Sequence, residues 1–260
     1  EWTNDKIFYG AYTRSHSLFE KSEFVASGLP DEAELALMEP LRDQLPATAF
    51  GEAVMQPVSD GSGRDRRKLR AALDLIKEAG WSRDGNTLVK DGERFDLEVM
   101  IRSPVFERML SSFVENMRRL GINASIRLVD PVQFQARMDE FDFDMVGMAL
   151  SFSATPTAES LQTIFSPDYA AVPGSRNLPG VDAPVYNQLL DNVEQAQDRT
   201  QLVTAMRVID RVNRARLDWI PNWYSANHRV AYWDRFGFVD PKPDYGWPVE
   251  RLWWLDPGKA

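Results

Sequence analysis

The chain has 260 residues, 43% hydrophobic and 27% charged, a balance that allows one large or two modest cores without cross-links. It has no cysteine, which excludes disulfides, thiolate zinc sites and a cysteine nucleophile. The net charge of -9 and the pI near 4.9 argue against a nucleic-acid partner. The basic run RDRRKLR at residues 64–70 is the exception, and it is typical of a solvated helix face.

No apolar run approaches the ~18 residues that a membrane-spanning helix needs. The first residues, EWTNDKIFYG, lack the basic and apolar regions of a signal peptide. The mature start of a secreted protein and a fragment of a longer chain would both look like this.

The N-terminal segment, residues 4–57, is irregular in pattern and interrupted by glycine and proline. Only residues 31–41 predict a helix, with Leu35, Leu37, Met38 and Leu41 as its apolar residues. We expect the rest to be extended or looped. Such a segment either wraps a larger body or belongs to a neighbouring domain.

A regular pattern begins after residue 60. Apolar residues at helical spacing predict a helix over residues 64–79, and Gly80 ends it. The dipeptide Asp91-Gly92 lies between two strand-like runs, residues 87–89 and 95–101. It predicts a hairpin of these runs with a type I′ turn.

The next elements alternate between strand and helix. Residues 104–120 carry a single apolar stripe that predicts a helix ending at Gly121. Residues 124–129 predict a strand, residues 131–138 a helix, and the apolar run at residues 143–150 a buried strand. The order β–α–β–α–β predicts an α/β fold with a parallel or mixed sheet flanked by helices.

Two further helices are predicted over residues 184–196 and 198–217, the second capped by Asp198. Short strands are predicted at residues 220–224 and 229–233. The last 25 residues are rich in proline and tryptophan, and we expect them to lie across a surface. Aromatic residues cluster in this region, suited to stacking, to a domain interface or to a core: Trp219, Trp223, Tyr224, Tyr232, Trp233, Tyr245, Trp247, Trp253 and Trp254.

No convincing catalytic grouping is visible. His16 and His228 have no metal-ligand spacing, and the nucleophile elbow and both glycine-rich nucleotide motifs are missing. The acids of DEFDFDM (Asp139, Asp142 and Asp144) and the turn at residues 60–65 lack the ligand spacing of a calcium loop. We interpret the acids as a strand entry in which they bind main-chain groups or cap a neighbour. No metal or cofactor is expected.

Ligands of open α/β sheets bind beyond the carboxyl ends of strands. The candidate binding loop therefore follows the predicted strand at residues 143–150 and comprises Ser151, Phe152, Ser153, Ala154 and Thr155. Small hydroxyls and an aromatic ring suit the lining of a pocket.

Several stretches, in order along the chain, resemble one family. They are the segment IFYGAYTRSHSLF and its continuation to residue 46, LRAALDLIKEAGW at residues 69–81, LSSFVENMRRLGINASIRLVDPVQFQARMDEFDFDM at residues 110–145, SRNLPGVDAPVYNQLLDNVEQA, and WIPNWYSANHRVAYWDRFG. They resemble the family-5 solute-binding proteins of peptide ABC importers, most nearly the microcin C and oligopeptide-binding branch.

The resemblance implies a periplasmic-binding-protein-like lobe from a two-lobed protein about twice this length. Residues 1–57 would be the hinge-side segment entering the second lobe, residues 58–224 the second lobe, and residues 225–260 the return segment. The implied function is binding of oligopeptides or peptide-like solutes between the lobes and delivery to ABC permease subunits in the inner membrane. The implied location is the periplasm, and the protein would not be an enzyme.

The resemblance also implies site residues. Many relatives carry an aspartate for the peptide amine where Ser151 stands here, which places amine anchoring in doubt. Phe152 and Ser153 follow in the same loop. Asn177 matches a family asparagine near the cleft, and Trp223 and Tyr224 lie on the returning strand. Core packing and loop hydrogen bonding are the alternative roles for these last three residues.

Two other functions remain open from the sequence. A binding-protein-like receptor lobe that signals to a partner protein would share the same pattern. An α/β enzyme would use Asp142, Asp144 or His228 as acid or base, although no nucleophile is paired with any of them.

Overall fold

The computed structural model describes residues 1–239 and 248–259. Its α-helices are α1 (Trp2–Lys6), α2 (Glu32–Met38), α3 (Arg66–Glu78), α4 (Pro104–Leu120), α5 (Pro131–Asp139), α6 (Ala158–Phe165), α7 (Val185–Glu194), α8 (Arg199–Arg216) and α9 (Val249–Leu252). Its strands are β1 (Thr13–Arg14), β2 (Ser82–Asp84), β3 (Thr87–Lys90), β4 (Glu93–Arg94), β5 (Asp96–Ile101), β6 (Asn123–Leu128), β7 (Met145–Val146), β8 (Trp223–Tyr224), β9 (Phe236–Phe238) and β10 (Trp253–Leu255).

The predicted α/β unit is present and has a parallel sheet in the order β6-β5-β7. Alternate residues of the central strand face opposite sides. Val99 and Ile101 pack in the core that α4 covers, whereas Met100 packs with Phe134 of α5. Gly121 ends α4 at φ 98°, as its position in the sequence predicts.

The predicted hairpin has a different partner strand. Asp91 and Gly92 both have positive φ (53° and 84°), as a type I′ turn requires. However, β3 pairs with β4 and β2, whereas β5 belongs to the parallel sheet. The predicted hairpin is thus confirmed from the turn as far as Phe95, whose N–H donates to Leu88 O at 2.9 Å. It is wrong for residues 96–101, which form β5 and pair with β6.

The predicted buried strand at residues 143–150 is also wrong. Only β7 is a strand there, and each residue of the run is half-buried or exposed. The apolar side chains pack into different cores: Met145 beside α4, Phe143 and Val146 beside α5, and Leu150 in the helical unit. The apolar run marks a crossing between cores, not a strand buried on both faces.

The second unit is helical and packs residues 18–50 against residues 150–219. Its core contains Phe165 of α6, Tyr186 of α7, and Met206 and Ile209 of α8. The predicted helices at residues 184–196 and 198–217 are confirmed as α7 and α8, and Asp198 caps α8. The predicted helix at residues 31–41 is confirmed as α2, which continues into a 3₁₀ helix (Glu39–Gln44). The sequence prediction missed α1, α6, α9 and the 3₁₀ helices Ala47–Phe50 and Pro167–Tyr169.

The segment of residues 15–55 is fixed to α8 by buried polar groups. Arg211 bonds Glu34 at 3.0 Å, and the Asp210 carboxylate accepts hydrogen bonds from Ser17 Oγ at 2.6 Å and Ala26 N at 2.9 Å. Within α8, Arg214 bonds Asp210 at 3.2 Å. The two guanidinium groups also donate to the main-chain carbonyls of Ala26, Gly28, Gly51 and Val54. Burial raises the pKa of the Asp210 carboxyl, although hydrogen bonds from the Ser17 hydroxyl and the main chain, and the charge of Arg214, act to lower it.

The C-terminal part has one confirmed and one wrong strand prediction. β8 lies within residues 220–224 and pairs antiparallel with β1. Residues 229–233 form no strand, and β9 and β10 pair instead around the ring of Trp253. Tyr245 and Trp247 lie outside the described residues. Within residues 1–239 and 248–259, no helix is long and apolar enough to cross a membrane.

Candidate functional site

The predicted binding loop, residues 151–155, lies within the longer connection from β7 to α6 at residues 147–157, which we call the β7–α6 loop. Because the three strands of the sheet are parallel, the loop leaves β7 at the edge where β5 and β6 also end. This edge is where open α/β sheets bind ligands. The loop ends at Thr157, whose hydroxyl accepts a hydrogen bond from Ser160 N at 3.2 Å and caps α6.

Within the β7–α6 loop, exposed side chains alternate with half-buried ones over residues 151–155. The exposed side chains are those of Ser151, Ser153 and Thr155. The ring of Phe152 lies 4.6 Å from that of Phe19 and stacks on Phe165 at 6.5 Å. The loop is thus anchored in the helical core by Phe152. Of its hydroxyl groups, that of Ser153 accepts a hydrogen bond from Thr155 N at 3.2 Å, and that of Thr155 accepts one from Arg199 at 3.4 Å.

Asn177 lies in a buried turn and is 0% exposed. Its Nδ2 donates to Ser166 O at 3.0 Å and Val181 O at 2.8 Å, and its Oδ1 accepts from Val181 N at 2.8 Å. The amide therefore closes the turn of residues 177–181 onto the end of α6. Asn177 thus has the loop hydrogen bonding that was given above as its alternative role. A contact of Asn177 with a ligand stays a prediction.

Trp223 and Tyr224 form β8, opposite Arg14 and Thr13 of β1. Trp223 is 37% exposed. Its ring packs against Phe8 at 5.1 Å and Tyr12 at 6.3 Å. These three rings make a partly open aromatic surface on the β1–β8 ribbon.

The six predicted site residues thus occupy three neighbourhoods. Ser151, Phe152 and Ser153 share the β7–α6 loop, Asn177 closes a turn beneath α6, and Trp223 and Tyr224 lie on the β1–β8 ribbon. The N-terminal segment connects two of these neighbourhoods, since it forms β1 and then supplies Phe19 to the β7–α6 loop.

The acids that an enzyme would use have structural partners. Asp142 bonds Nε of Arg137 at 2.8 Å, and Asp144 accepts a hydrogen bond from the main-chain amide of Glu98 at 2.8 Å. Asp144 thereby extends the contact of β7 with β5. The predicted main-chain hydrogen bond is confirmed for Asp144, whereas the Asp142 carboxylate pairs with an arginine side chain.

The two histidines lie in different segments. His16 Nδ1 accepts from Gln56 N at 3.1 Å and links two parts of the N-terminal segment. His228 is exposed in the stretch after β8. In the part of the chain that the structure describes, no three acidic or histidine side chains are placed to hold a metal ion.

Sequence reasoning missed Arg199 and Glu23, which contact the β7–α6 loop or its neighbours. Arg199 is the first residue of α8, and its guanidinium donates to Ala154 O at 2.6 Å. It also forms an ion pair with Glu23. An Arg after an N-cap gives no signal of such a role, because the partners are 45 and 176 residues distant in the chain.

The amino-acid sequence matches the model of bacterial extracellular solute-binding proteins, family 5 Middle, over residues 1–171. This chain belongs to the family-5 extracellular solute-binding proteins. The family predicted from the sequence motifs is therefore confirmed.

Curated relatives of this family-5 chain align over nearly its whole length. The uncharacterized protein YejA of Escherichia coli (strain K12) is 34% identical over 263 residues, which cover 100% of this chain and 43% of that protein. The probable peptide-binding protein YejA of Agrobacterium fabrum is 36% identical over 262 residues, 100% and 42% of the two chains. The peptidoglycan-binding protein YepA of the same species is 32% identical over 256 residues, 98% and 41%. The family-5 chain thus spans about two fifths of these relatives' length.

Solved structures show the same fold at low sequence identity. The oligopeptide-binding protein AppA of Bacillus subtilis, in complex with a nonapeptide, superposes with TM-score 0.56 at 15% identity and covers 94% of this chain and 52% of AppA. The periplasmic binding protein DppA of Helicobacter pylori, in complex with peptide STSA, gives TM-score 0.59 at 13% identity and covers 85% and 35%. The α/β class and the binding-protein-like lobe predicted from the sequence are confirmed.

Proposed function

We propose that this chain forms one lobe of the substrate-binding component of an ABC importer. It would bind oligopeptides or peptide-like solutes in a cleft between two lobes and pass them to permease subunits in the inner membrane. The β7–α6 loop carries the proposal: in this family-5 chain, exposed hydroxyl side chains alternate along a loop at the carboxyl edge of the sheet, the edge where open α/β sheets bind ligands. The names of the peptide-binding relative and of the AppA complex support the substrate class.

Ser151 and Ser153 supply the polar contacts in this proposal. A hydroxyl both donates and accepts, so it matches the N–H and C=O groups that every peptide carries. If the protein recognises mainly the main-chain groups, it discriminates little between peptide side chains and therefore has broad specificity. Closing the lobes would exclude water from these hydrogen bonds and enclose the ligand between the lobes.

The residue at position 151 bears on whether the ligand needs a free N-terminal amine. Ser151 is neutral, so it cannot form an ion pair with a free α-amine. We therefore propose that ligands with a blocked N-terminus bind as well as free peptides. The peptidoglycan-binding relative YepA fits this feature, because the peptide stems of peptidoglycan are joined to sugar through an amide at their N-terminus.

The remaining parts of the proposal follow the same two-lobe arrangement. Residues 1–57 and 225–260 would run on the hinge side and residues 58–224 would form the lobe. Trp223 and Tyr224, on the β1–β8 ribbon, would meet the ligand or the other lobe, and Asn177 would hold the turn beneath α6. The protein would act in the periplasm, without a cofactor and without catalysing a reaction.

The test is a thermal-shift titration of the full-length protein that contains this chain. The panel comprises di-, tri- and longer peptides, each free and N-acetylated, and peptidoglycan fragments. A ligand at 100 times its Kd stabilises the folded state by ~2.7 kcal/mol, which such an assay detects readily. We expect stabilisation by peptide compounds and little difference between free and acetylated forms.

A matched variant examines position 151. Ser151→Asp should introduce a preference for the free amine, because a carboxylate near a cation gains charge-assisted hydrogen bonds. An unchanged preference in this variant would remove Ser151 from the ligand contact. Stabilisation by none of the peptide compounds would refute the substrate class.

A further inference from the structure

The β7–α6 loop is held at two points on its inner side. Phe152 packs on Phe19 and Phe165, as described above. The second point is Ala154, whose carbonyl accepts a hydrogen bond from Arg199 Nη1 at 2.6 Å. The exposed hydroxyl of Ser153 lies between these two anchors, so the position of that hydroxyl depends on both.

Arg199 is itself held in place by the N-terminal segment. Its Nε donates to Glu23 Oε1 at 2.8 Å, and its Nη2 donates to the same oxygen. The guanidinium carbon lies 5.0 Å from the ring centre of Phe24. Because the guanidinium is planar, orienting two of its nitrogens on Glu23 fixes the direction of Nη1 toward Ala154.

We propose that Arg199 is a positioning residue for ligand binding: together with Glu23 it fixes the β7–α6 loop in its binding geometry. This inference rests on the proposed function. The ligand would meet a loop that is already ordered, so little of the binding free energy would be spent on ordering it.

The exposure of the Arg199–Glu23 ion pair indicates that it restrains the loop and contributes little to global stability. The side chains of Arg199 and Glu23 are 39% and 42% exposed, and ion pairs of this kind add little to global stability. The contact with Ala154 nevertheless restrains a loop that the sheet no longer holds. Loss of Arg199 should therefore loosen the loop much more than it lowers the melting temperature.

Arg207 provides a matched control on the same helix. Its Nε donates to the main-chain carbonyl of Glu23 at 2.9 Å. Arg207→Met thus removes an arginine contact to the same residue of the N-terminal segment and leaves the contact of Arg199 with Ala154 in place. Arg199→Met removes the contact with Ala154 as well.

The experiment compares the wild type, Arg199→Met, Arg207→Met and Glu23→Gln in the full-length protein. Amide hydrogen exchange is followed for residues 151–155, together with the melting temperature and the Kd for an N-acetylated tripeptide. We expect Arg199→Met to speed exchange in the loop by about tenfold. We also expect it to weaken binding about tenfold. Arg207→Met should match the wild type in loop exchange and in Kd, and Glu23→Gln should lie between.

The two readouts separate this inference from the proposed function. Unchanged loop exchange in Arg199→Met overturns the positioning role, and so does faster exchange with an unchanged Kd. If the wild type binds none of the peptide compounds, the proposed function fails. Hydrogen exchange in the loop would still show whether the contact of Arg199 with Ala154 restrains the loop. Arg199→Lys keeps the positive charge but lacks the planar guanidinium group. If this variant binds with the wild-type Kd, orientation of Arg199 by Glu23 is unnecessary and the proposal is overturned in that part.

Discussion

Replacing Arg211 with methionine tests how the segment of residues 15–55 is held on α8. The side chains of Arg211 and Glu34 are 0% and 4% exposed, and they meet at 3.0 Å. Methionine has a similar length but no donor. The substitution leaves the Glu34 carboxylate buried without its cation and removes the donor to the carbonyls of Gly28 and Gly51.

Removing one partner of a buried ion pair costs ~3–5 kcal/mol, and each carbonyl left unpaired adds to this unless water reaches it. We expect Arg211→Met to lower the free energy of unfolding by ~4 kcal/mol. Urea unfolding of the full chain, followed by tryptophan fluorescence, measures the change. With a denaturant slope of ~3 kcal/mol/M, the midpoint should fall by roughly 1.3 M.

The control is Arg127→Met, which breaks a pair with Glu98 at 3.4 Å in which the Arg127 side chain is 60% exposed. It should cost under ~1 kcal/mol. The double variant Glu34→Gln with Arg211→Met should recover part of the loss, because the buried charge is gone. An Arg211→Met loss no larger than that of the control would refute the reasoning.

Three further predictions concern the α/β unit. Gly121→Ala should cost ~2 kcal/mol in urea unfolding, because φ is 98° and the new Cβ would lie 3.2 Å from the Leu88 side chain. Gly85→Ala, also at positive φ but with open space around it, should cost about half as much. Asp130→Ala should cost ~1 kcal/mol, since the carboxylate caps α5 by accepting two main-chain hydrogen bonds, and circular dichroism melts would detect this. Hydrogen bonds from main-chain amides, Lys68 first, lower the pKa of Asp65, so its stabilising effect is present above the ordinary aspartate pKa and is lost as the pH falls through the lowered value. Asp65→Asn should therefore flatten the acid limb of stability against pH, and an unchanged limb would contradict this.

Elements with strong local signals were predictable from the sequence. Pro104 and Gly121 mark both ends of α4, and Asp198 marks the start of α8. In each case the residue that ends or caps the helix acts within one turn, so a short window contains the whole signal. The α/β class follows, because it depends on the order of such elements.

Elements that depend on distant partners were not predictable. The apolar run at residues 143–150 has the composition of a buried strand, but its side chains pack into separate cores. Likewise the partner strand of β3 is decided by competition for β5, which pairs with β6 instead. Composition shows that these side chains are apolar, but it does not show which core each of them packs against.

The candidate site divides in the same way. Residues 151–155 were predictable as a loop that carries serines, although the strand before them ends at Val146 and not at Leu150. Its fixation by Arg199 was not, because that contact joins residues 45 positions apart. Asn177 was indicated by the family resemblance, and only the structure gives its hydrogen bonds to the turn and to Ser166.

The attachment of residues 15–55 to α8 has a consequence for synthesis on the ribosome. The carbonyl of Gly28 accepts its hydrogen bond from Arg211, which is synthesised 183 residues later. At about 5–20 residues per second, this interval lasts roughly 10–40 s. During that time the α/β unit at residues 66–146 emerges with its own strands and covering helices, so we expect it to form first. The N-terminal segment then stays unattached until α8 is made, and a chaperone or protease would find it accessible in that interval.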